Sequence, residues 1–354
     1  MRTAVVLFNL GGPDSPEAIR PFLFNLFNDP AIIGLPQPLR WLLARLISRR
    51  RARTAEAIYA HLGGRSPILE GSQAQALALQ DVLNQAAAEG DEARVFVAMR
   101  YWRPRAGEVV AEVARWAPQR LVLLPLYPQY STTTSASSLA EWRRLAARQG
   151  LDPPTWAVCC YPRQPGFIAA LAGGLRRTLE EMRAQGQRPR LLLSAHGLPQ
   201  RLIERGDPYQ WQVEETAAAL LAALGDEDAQ AVICYQSRVG RLAWIGPSTE
   251  DEIRRAGAQK QALLVVPLSF VSEHSETLVE LDIEYADLAV RAGVPAYRRL
   301  ATVATDAAFI AGLAELVGET LEAPTGLCRG GGACAAGLAG CAERTAAGAG
   351  AGEA

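Results

Sequence analysis

Apolar segments of strand length alternate with longer segments of helical period along most of this chain, and this alternation limits the fold more than any other feature. The predicted strands are 4–10, 94–99, 120–127, 155–161, 190–196, 231–237, 262–270 and, more weakly, 294–300. The segments of helical period between them are 72–88, 106–116, 137–148, 166–185, 211–224 and 277–292. Because buried strands that alternate with helices form parallel sheets, the pattern predicts an α/β fold.

The two halves of the chain repeat three motifs in the same order. VVLFNLGGPD resembles LLLSAHGLPQ, RVFVAMRYW resembles AVICYQSRV, and RLVLLPLYPQYSTTT resembles QALLVVPLSFVSEHS. Generic strand–turn similarity explains any one of these pairs, but three pairs in order favour a duplication. We therefore predict two small doubly wound sheets, whose ligands bind beyond the carboxyl ends of the strands.

The first half carries an insertion that covers about residues 13–66. It is rich in Phe, Leu, Ile and Trp, and six arginines without an acid lie between Arg40 and Arg53. Guanidinium groups beside apolar surface suit a large flat ligand that bears carboxylates, or a bilayer surface. Taken alone, an amphipathic helix pair that covers the sheet explains the segment slightly better.

Composition excludes several function classes. The chain has 36 basic and 37 acidic residues, and a net charge of −1 argues against bulk nucleic-acid binding. Its single lysine, Lys260, lies in no phosphate-binding loop, so Schiff-base and P-loop chemistry are not expected. Neither a signal peptide nor a membrane span is predicted, and we expect a cytoplasmic protein.

Two segments of the second half carry the residues best suited to chemistry. His196 ends a predicted strand before a Gly-x-Pro turn, and residues 270–285 follow the third strand of the same half. We predict that Ser272 caps a helix there. The acids of this segment fall three, four and four residues apart on one helix face, and they are Glu273, Glu276, Glu280 and Glu284.

This acidic stripe has no interleaved Lys or Arg, so its charges repel one another. A solvated helix face is the usual explanation of such a stripe. A divalent cation such as Fe²⁺, however, takes imidazole and carboxylate ligands, which His196 and Glu276 would provide. Together with the apolar, arginine-rich insertion, the stripe suggests metal insertion into a porphyrin, a reaction that must remove two pyrrole protons.

With these residues in place, the sequence resembles the ferrochelatase family over about residues 3–320. The motifs that carry the resemblance are LFNLGGPDS, YAHLGGRSPI, MRYWRP, LYPQYSTTT, SAHGLP, RGDPY, CYQSRVG, WIGPST and SEHSETLVELDIEY. The resemblance implies two Rossmann-like domains with parallel four-stranded sheets and an active-site cleft between them. The domains are expected at 1–155 and 156–322, and a tail at 323–354.

The resemblance also implies an activity and the residues that perform it. The expected reaction inserts Fe²⁺ into protoporphyrin IX and releases two protons, which is the last step of haem biosynthesis. His196 would be the base or a metal ligand, Glu276 its partner in metal binding, and Glu273, Glu280 and Glu284 a proton or metal path. The expected porphyrin contacts are Arg51, Tyr59, Ser66, Arg100, Tyr101, Trp244 and His274.

The tail contains three of the six cysteines, Cys328, Cys334 and Cys341, before an Ala/Gly-rich end that we expect to be disordered. Some ferrochelatases hold a [2Fe–2S] cluster with such cysteines and one internal cysteine, and a cluster needs four ligands. Because adjacent strand residues face opposite sides, only one of Cys159 and Cys160 is predicted to be the fourth. The alternative is a thiol-bearing tail without metal.

Two other functions stay open at this point. One is chelation of coproporphyrin III, because the arginines of the insertion do not indicate how many propionates the substrate bears. The other is porphyrin or haem binding without turnover. The oligomeric state, monomer or homodimer, is not predicted. The apolar insertion allows peripheral contact with the inner membrane, where arginines favour anionic lipid.

Overall fold

The computed structural model describes residues 1–226, 229–238, 240, 242–323 and 326–328. The strands are β1 (Arg2–Asn9), β2 (Glu92–Met99), β3 (Arg120–Pro125), β4 (Thr155–Val158), β5 (Arg190–His196), β6 (Ala231–Gln236), β7 (Leu263–Pro267), β8 (Tyr297–Arg299) and β9 (Gly326–Cys328). The α-helices are α1 (Ile19–Phe27), α2 (Gln37–Ala60), α3 (Ile68–Gln85), α4 (Ala106–Trp116), α5 (Ser135–Gln149), α6 (Pro165–Ala184), α7 (Gln200–Glu204), α8 (Tyr209–Leu224), α9 (Thr249–Ala258), α10 (Tyr285–Ala292) and α11 (Ala307–Glu322). A 3₁₀ turn (Pro16–Ala18) precedes α1, and a π-helix (Glu276–Glu284) precedes α10.

The chain divides into two compact units. The first comprises Met1–Cys160 and the described part of Leu313–Arg329, and the second comprises, among the described residues, Tyr161–Gly312. Each unit contains one sheet, and every strand pairing in both sheets is parallel. The predicted α/β fold with two parallel sheets is therefore confirmed.

The sheet of the first unit has the strand order β2-β1-β3-β4-β9. Its inner strand β1 is buried from Thr3 to Asn9, which explains why this segment is a nearly continuous apolar run. Phe8 of β1 packs edge-to-face on Trp142 of α5, with ring centroids 5.6 Å apart. Each such large side chain contributes about 1.5–3 kcal/mol when it is fully buried.

The insertion of the first unit forms α1 and α2. An apolar cluster of Ile19, Phe22, Leu23, Tyr59 and Tyr101 joins these helices to the residues that follow β2. The amino-terminal half of α2 instead exposes large apolar side chains. They include Leu39 and Leu42, which are 57% and 58% exposed.

The sheet of the second unit has the order β6-β5-β7-β8, so both sheets place their first strand between their second and third. Leu192 of the central strand β5 pairs in register with Val232 and Val265. The first sheet differs in its short fifth strand, β9, which comes from the segment assigned to the tail by the sequence. There, Val158 of β4 is the register partner of Cys328.

None of the helices in the described part of the chain is long and apolar enough to cross a membrane.

Candidate active site

The carboxyl edge of the second sheet brings together the histidine and one of the acids that the sequence predicts to be functional. His196 is the last residue of β5, and Glu276 is the first residue of the π-helix that follows β7. Since β5 and β7 are parallel neighbours, their ends meet at one edge, and His196 Nδ1 lies 2.9 Å from Glu276 Oε2. The side chains are 37% and 26% exposed, so solvent reaches both.

The charges of this pair stabilise each other. Burial opposes charge on the imidazole, but the charge and hydrogen bond of Glu276 outweigh it and raise the pKa of His196. Burial likewise opposes charge on Glu276, but His196 and then His274 hold the pKa of its carboxyl well below the usual range. An ionised carboxylate only accepts hydrogen bonds, so Nδ1 of His196 donates. Its Nε2 is therefore the ring nitrogen left for a substrate proton or a metal ion.

A second imidazole faces the same carboxylate oxygen. His274 is buried, and its Nε2 lies 3.8 Å from Glu276 Oε2, while its ring lies 4.6 Å from that of Phe270. The Nδ1 atom of His274 is buried and has no hydrogen-bond partner within the described residues. The described residues contain no group of three or more His, Cys, Asp or Glu side chains suited to one metal ion.

Glu280 lies one turn further along the π-helix and is held by residues that the sequence analysis did not single out. Its carboxylate accepts hydrogen bonds from Gln236 Nε2 at 3.1 Å, Ser237 N at 2.8 Å and Tyr285 OH at 3.0 Å. Burial, together with the charge of Glu276, raises the pKa of Glu280. The signal in the sequence was the polar pair Gln236–Ser237 at the end of an apolar strand.

The orientation of the Gln236 amide is fixed on both sides. Its Oε1 accepts a hydrogen bond from Ser194 Oγ at 2.9 Å, and its Nε2 also donates to the carbonyl oxygen of Glu276 at 3.1 Å. A flipped amide would face the carbonyl and the carboxylate with an oxygen, so the observed orientation is the favourable one. Gln236 thus ties β5 and β6 to the start of the π-helix.

The helix that carries these acids differs from the predicted one. It is a nine-residue π-helix, a rare geometry that is frequent at functional sites. The prediction that Ser272 is the N-cap is wrong, because Ser275 holds that position, without a side-chain cap, and Ser272 is buried in the preceding segment. Glu273 also precedes the helix, so the stripe on the helix begins at Glu276 and ends at the exposed Glu284.

A cation approaches the acidic segment from another strand. Arg299 of β8 donates to Glu273 Oε1 at 2.9 Å and pairs with Asp282 at 2.6 Å. Burial opposes charge on Glu273, but Arg299 outweighs it and lowers the pKa of that carboxyl. No basic residue lies between the acids in the sequence, but the fold brings Arg299 beside them, and its charge compensates part of the repulsion between the carboxylates.

Glycine is required in the turn after His196. A Cβ atom at Gly197 would lie 2.9 Å from the carbonyl oxygen of Gln236 and 3.4 Å from the Trp244 ring. Trp244 pairs across a backbone bridge with Pro199 of the same turn, and its indole nitrogen is buried without a partner in the described residues. The predicted porphyrin contact Trp244 is thus packed against the His196 turn.

The other predicted porphyrin contacts lie in the first unit, together with the insertion. Arg51 is exposed on α2, whereas Tyr59 and Ser66 are buried. Ser66 packs closely on the glycine turn after β1. A Cβ atom at Gly12 would lie only 2.4 Å from the Cβ atom of Ser66. Arg100 and Tyr101, immediately after β2, both contact the carboxylate of a residue that the sequence analysis did not identify, Asp29.

The cysteines assigned to a cluster fall partly outside the described residues. Cys334 and Cys341 lie outside them, and of Cys328 only the backbone is described. Strand β4 ends at Val158, so the alternation argument for Cys159 and Cys160 is wrong: their side chains do not diverge, and their sulfur atoms are 3.5 Å apart.

A family model and similar curated proteins place this chain in the same family. A family model described as Ferrochelatase matches residues 2–321. The ferrochelatase of Phenylobacterium zucineum (strain HLK1) is 56% identical over 315 residues, which cover 89% of this chain and 90% of that protein. The ferrochelatase of Caulobacter vibrioides (strain NA1000 / CB15N) is 52% identical over 320 residues, which cover 90% of each.

Solved structures share the fold at low sequence identity. SirB from Bacillus subtilis with Fe³⁺ has a TM-score of 0.51 at 11% identity and covers 91% of this chain and 96% of that one. The sirohydrochlorin chelatase SirB from Bacillus subtilis subspecies spizizenii in complex with cobalt has a TM-score of 0.51 at 12% identity and covers 92% and 97%. These structures support the fold alone, whereas the family model and the curated relatives decide the family. The chain belongs to the ferrochelatase family, metal chelatases of the lyase class that take Fe²⁺ as substrate and insert it into a porphyrin for haem synthesis.

Proposed function

We propose that this chain inserts Fe²⁺ into protoporphyrin IX, forms protohaem and releases two protons, as the last step of haem biosynthesis. The observation that carries the proposal is the His196–Glu276 hydrogen bond at the carboxyl edge of the second sheet. The pair is partly exposed, as a site that receives a substrate must be.

The pair is suited to remove pyrrole protons. With Nδ1–H held by the carboxylate of Glu276, a neutral His196 presents the lone pair of Nε2 to the macrocycle. When Nε2 accepts a proton, the ionised Glu276 stabilises the imidazolium that forms. In the alternative role, Fe²⁺ replaces the proton between His196 Nδ1 and Glu276, and this nitrogen and a Glu276 oxygen bind the metal. Both roles need the two residues together.

A route for protons or metal continues along the π-helix in this proposal. Two protons leave for each Fe²⁺, and one imidazole accepts them only one at a time. Glu280 has a raised pKa and lies next to Glu276, and Glu284 is exposed at the end of the helix. Glu273 is held by Arg299, so we assign it a smaller share of this path than the other acids.

Exposed apolar surface favours protoporphyrin over coproporphyrin as the substrate. Protoporphyrin IX bears two carboxylates and two vinyl groups, whereas coproporphyrin III bears four carboxylates. The insertion exposes Leu39, Trp41 and Leu42, which suit the vinyl side of the less polar macrocycle. The exposed Arg51 suits a propionate. Tyr59, Ser66, His274 and Trp244 complete the proposed porphyrin contacts.

A [2Fe–2S] cluster remains part of the proposal. The sulfur atoms of Cys159 and Cys160 are 3.5 Å apart, and Cys328 Cα is in register with the residue just before them. One of these two thiols, together with Cys328, Cys334 and Cys341, would supply the four ligands of a cluster, and such a cluster would supply an iron–sulfur centre of tunable potential. Iron and sulfide contents near zero in anaerobically purified protein would remove it.

We also propose a cytoplasmic location with peripheral membrane contact. The exposed apolar residues of α2 lie on the same helix as the arginines between Arg40 and Arg53, a combination that suits an anionic bilayer surface. Co-sedimentation with phosphatidylglycerol vesicles but not phosphatidylcholine vesicles is expected. Analytical ultracentrifugation without vesicles would decide between monomer and homodimer.

The decisive experiment is an anaerobic assay with Fe²⁺ and each porphyrin in turn. The loss of free-base fluorescence measures insertion, and we expect kcat/KM to be higher for protoporphyrin IX than for coproporphyrin III. A higher value for coproporphyrin III would transfer the proposal to that substrate. Wild-type protein that binds both porphyrins and metalates neither would be a binding protein, which would contradict the proposal.

A further inference from the structure

The first unit contains a buried charged cluster around Asp29, which immediately follows α1. The Asp29 side chain is 2% exposed, and its Oδ2 accepts hydrogen bonds from Arg100 Nη2 at 2.6 Å and Tyr101 OH at 2.8 Å. Its Oδ1 accepts a third from Ala31 N at 2.9 Å. Asp29 belongs to the insertion, whereas Arg100 and Tyr101 follow β2, so the carboxylate joins the insertion to the edge of the sheet.

The guanidinium of Arg100 pairs with two carboxylates of this cluster. Besides Asp29 it pairs with Glu141 of α5 at 2.7 Å, and its guanidinium lies 5.3 Å from the Tyr101 ring centroid. Its side chain is 12% exposed. A propionate of the substrate would have to displace Asp29 or Glu141 to pair with Arg100. We therefore propose that Arg100 holds the insertion in place through Asp29 and does not contact the porphyrin directly.

Asp29 is the last buried residue before a long exposed stretch of the chain. None of residues 30–43 is buried, and the next buried residue is Ala44 in α2. This stretch contains the exposed Leu35, Leu39 and Leu42. The hydrogen bond from Asn25 Nδ2 to the Tyr101 carbonyl oxygen, at 3.0 Å, lies on the other side of Asp29. Asp29 is therefore the last buried contact of the chain before the exposed apolar stretch.

We propose that Asp29 is a positioning residue for porphyrin binding, because it holds residues 30–43 at the carboxyl end of β2 through Arg100 and Tyr101. The proposal rests on the proposed function, in which the macrocycle meets this apolar stretch. Buried charges tolerate only arrangements that keep their hydrogen bonds, so the cluster fixes the position of the chain where the stretch begins. Its loss leaves His196 and Glu276 intact, and the effect is therefore expected on porphyrin affinity and not on the chemical step.

The test uses Asp29→Asn, with Tyr101→Phe as a milder second variant that removes one hydrogen bond without a cavity. The matched control is Glu112→Gln, which breaks the exposed pair with Arg94 at the other end of β2. Porphyrin affinity is measured without metal from the quenching of free-base fluorescence, and KM and kcat with Fe²⁺. Limited trypsin digestion, followed by mass spectrometry, reports cleavage after Arg40, the one tryptic site in residues 30–43.

For Asp29→Asn we expect porphyrin Kd and KM to rise about tenfold, the factor typical of one lost charge-assisted hydrogen bond. We expect kcat within about twofold of wild type and faster cleavage after Arg40, since only positioning is lost. Tyr101→Phe should change Kd in the same direction but less, and the double variant should show less than the sum of both effects. Glu112→Gln should match wild type.

Unchanged Kd with unchanged cleavage would overturn the proposal, and so would a lower kcat at unchanged KM. Unchanged Kd with faster cleavage would also overturn it, because the exposed stretch would then not bind porphyrin. Failure of the proposed function has a separate signature, in which wild type metalates neither porphyrin. In that case the Kd and cleavage measurements still test Asp29.

Discussion

The two units build the same sheet and place different chemistry at its carboxyl edge. The register of the first and third strands aligns the two sheets. Phe8 pairs with Pro125 in the first sheet, and Ser194 pairs with Pro267 at the equivalent place in the second. Counting from these pairs, His196 corresponds to Leu10 and Glu276 corresponds to Thr134. The first unit therefore lacks the imidazole–carboxylate pair at the position where the second unit has it.

The second strands of the two sheets extend the comparison. Gln236 is the register partner of His196. In the first sheet Asn9 pairs with Met99, so the next residue, Arg100, lies opposite Leu10, the counterpart of His196. Gln236 and Arg100 therefore correspond. Both reach the helix that follows the third strand of their sheet: Gln236 contacts Glu280, and Arg100 contacts Glu141. In the first unit the charges at this edge pair with one another in a buried cluster, whereas in the second the His196–Glu276 pair is partly exposed. Under the proposed function, edge residues, and not sheet topology, decide which unit performs the chemistry.

The largest effect is expected from Glu276→Gln, compared with Thr134→Ala at the corresponding position of the first unit. Loss of the carboxylate removes the partner that orients and charges His196, and we expect kcat to fall by about 10²–10⁴. Thr134→Ala should stay within about twofold, since this side chain makes no capping hydrogen bond. Steady-state insertion of Fe²⁺ into protoporphyrin measures both. Comparable losses for the two variants would refute the asymmetry.

The next effect concerns the stability of the second unit. Arg299→Met leaves Glu273 and Asp282 without their buried cation, and we expect the free energy of unfolding to fall by about 3 kcal/mol. Its neighbour Arg298 pairs with Glu181 at the surface, so Arg298→Met should cost less than about 1 kcal/mol. Urea unfolding of both variants provides the measurement. Equal losses would show that Arg299 does not hold the acidic segment.

A smaller effect is expected at the register partner of His196. Gln236→Met removes the donor to Glu280 and to the Glu276 carbonyl oxygen, and we expect kcat to fall about tenfold. The control is Gln230→Met, just before the start of β6, which should leave kcat unchanged. A loss of porphyrin affinity at unchanged kcat in Gln236→Met would instead place this residue in substrate binding.

The smallest effect is the pH dependence of stability. The pKa of His196 is raised in the folded state above its ordinary 6.5, so its contribution is complete below that pH and is lost as pH rises through the folded value. The pKa of Glu276 is lowered, so its contribution is present above 4.5 and is lost as pH falls. We expect the difference in unfolding free energy between wild type and His196→Asn to shrink as pH rises above 6.5 through the raised pKa of His196. A constant difference in urea titrations would contradict the raised pKa.

Sequence patterns predict most of the fold because periodicity is a local property. The apolar runs locate all eight predicted strands, and 106–116 and 190–196 match α4 and β5 at both ends. Spacing alone does not distinguish a π-helix from an α-helix, so the geometry of Glu276–Glu284 was missed. The short strand β9 was missed for a different reason, since its segment GLC carries no apolar run.

Contacts between residues far apart in the sequence could be predicted only where the strand order brings them together. Strand order follows from duplication and places His196 beside the segment of Glu276, so this pair was accessible from the sequence. Asp29 meets Arg100 and Tyr101 about seventy residues later in the chain, and neither spacing nor composition marks that contact. Arg299 likewise reaches Glu273 only because β8 lies beside β7.

The central claim is that His196 acts in the chemistry of insertion at the edge of the second sheet. The most direct measurement is single-turnover insertion of Fe²⁺ into prebound protoporphyrin by His196→Ala, with His61→Ala, an exposed histidine of the first unit, as control. The account predicts that His196→Ala binds porphyrin as wild type does and inserts iron at least about 10²-fold more slowly, while His61→Ala inserts at the wild-type rate. Insertion by His196→Ala at the wild-type rate would contradict it.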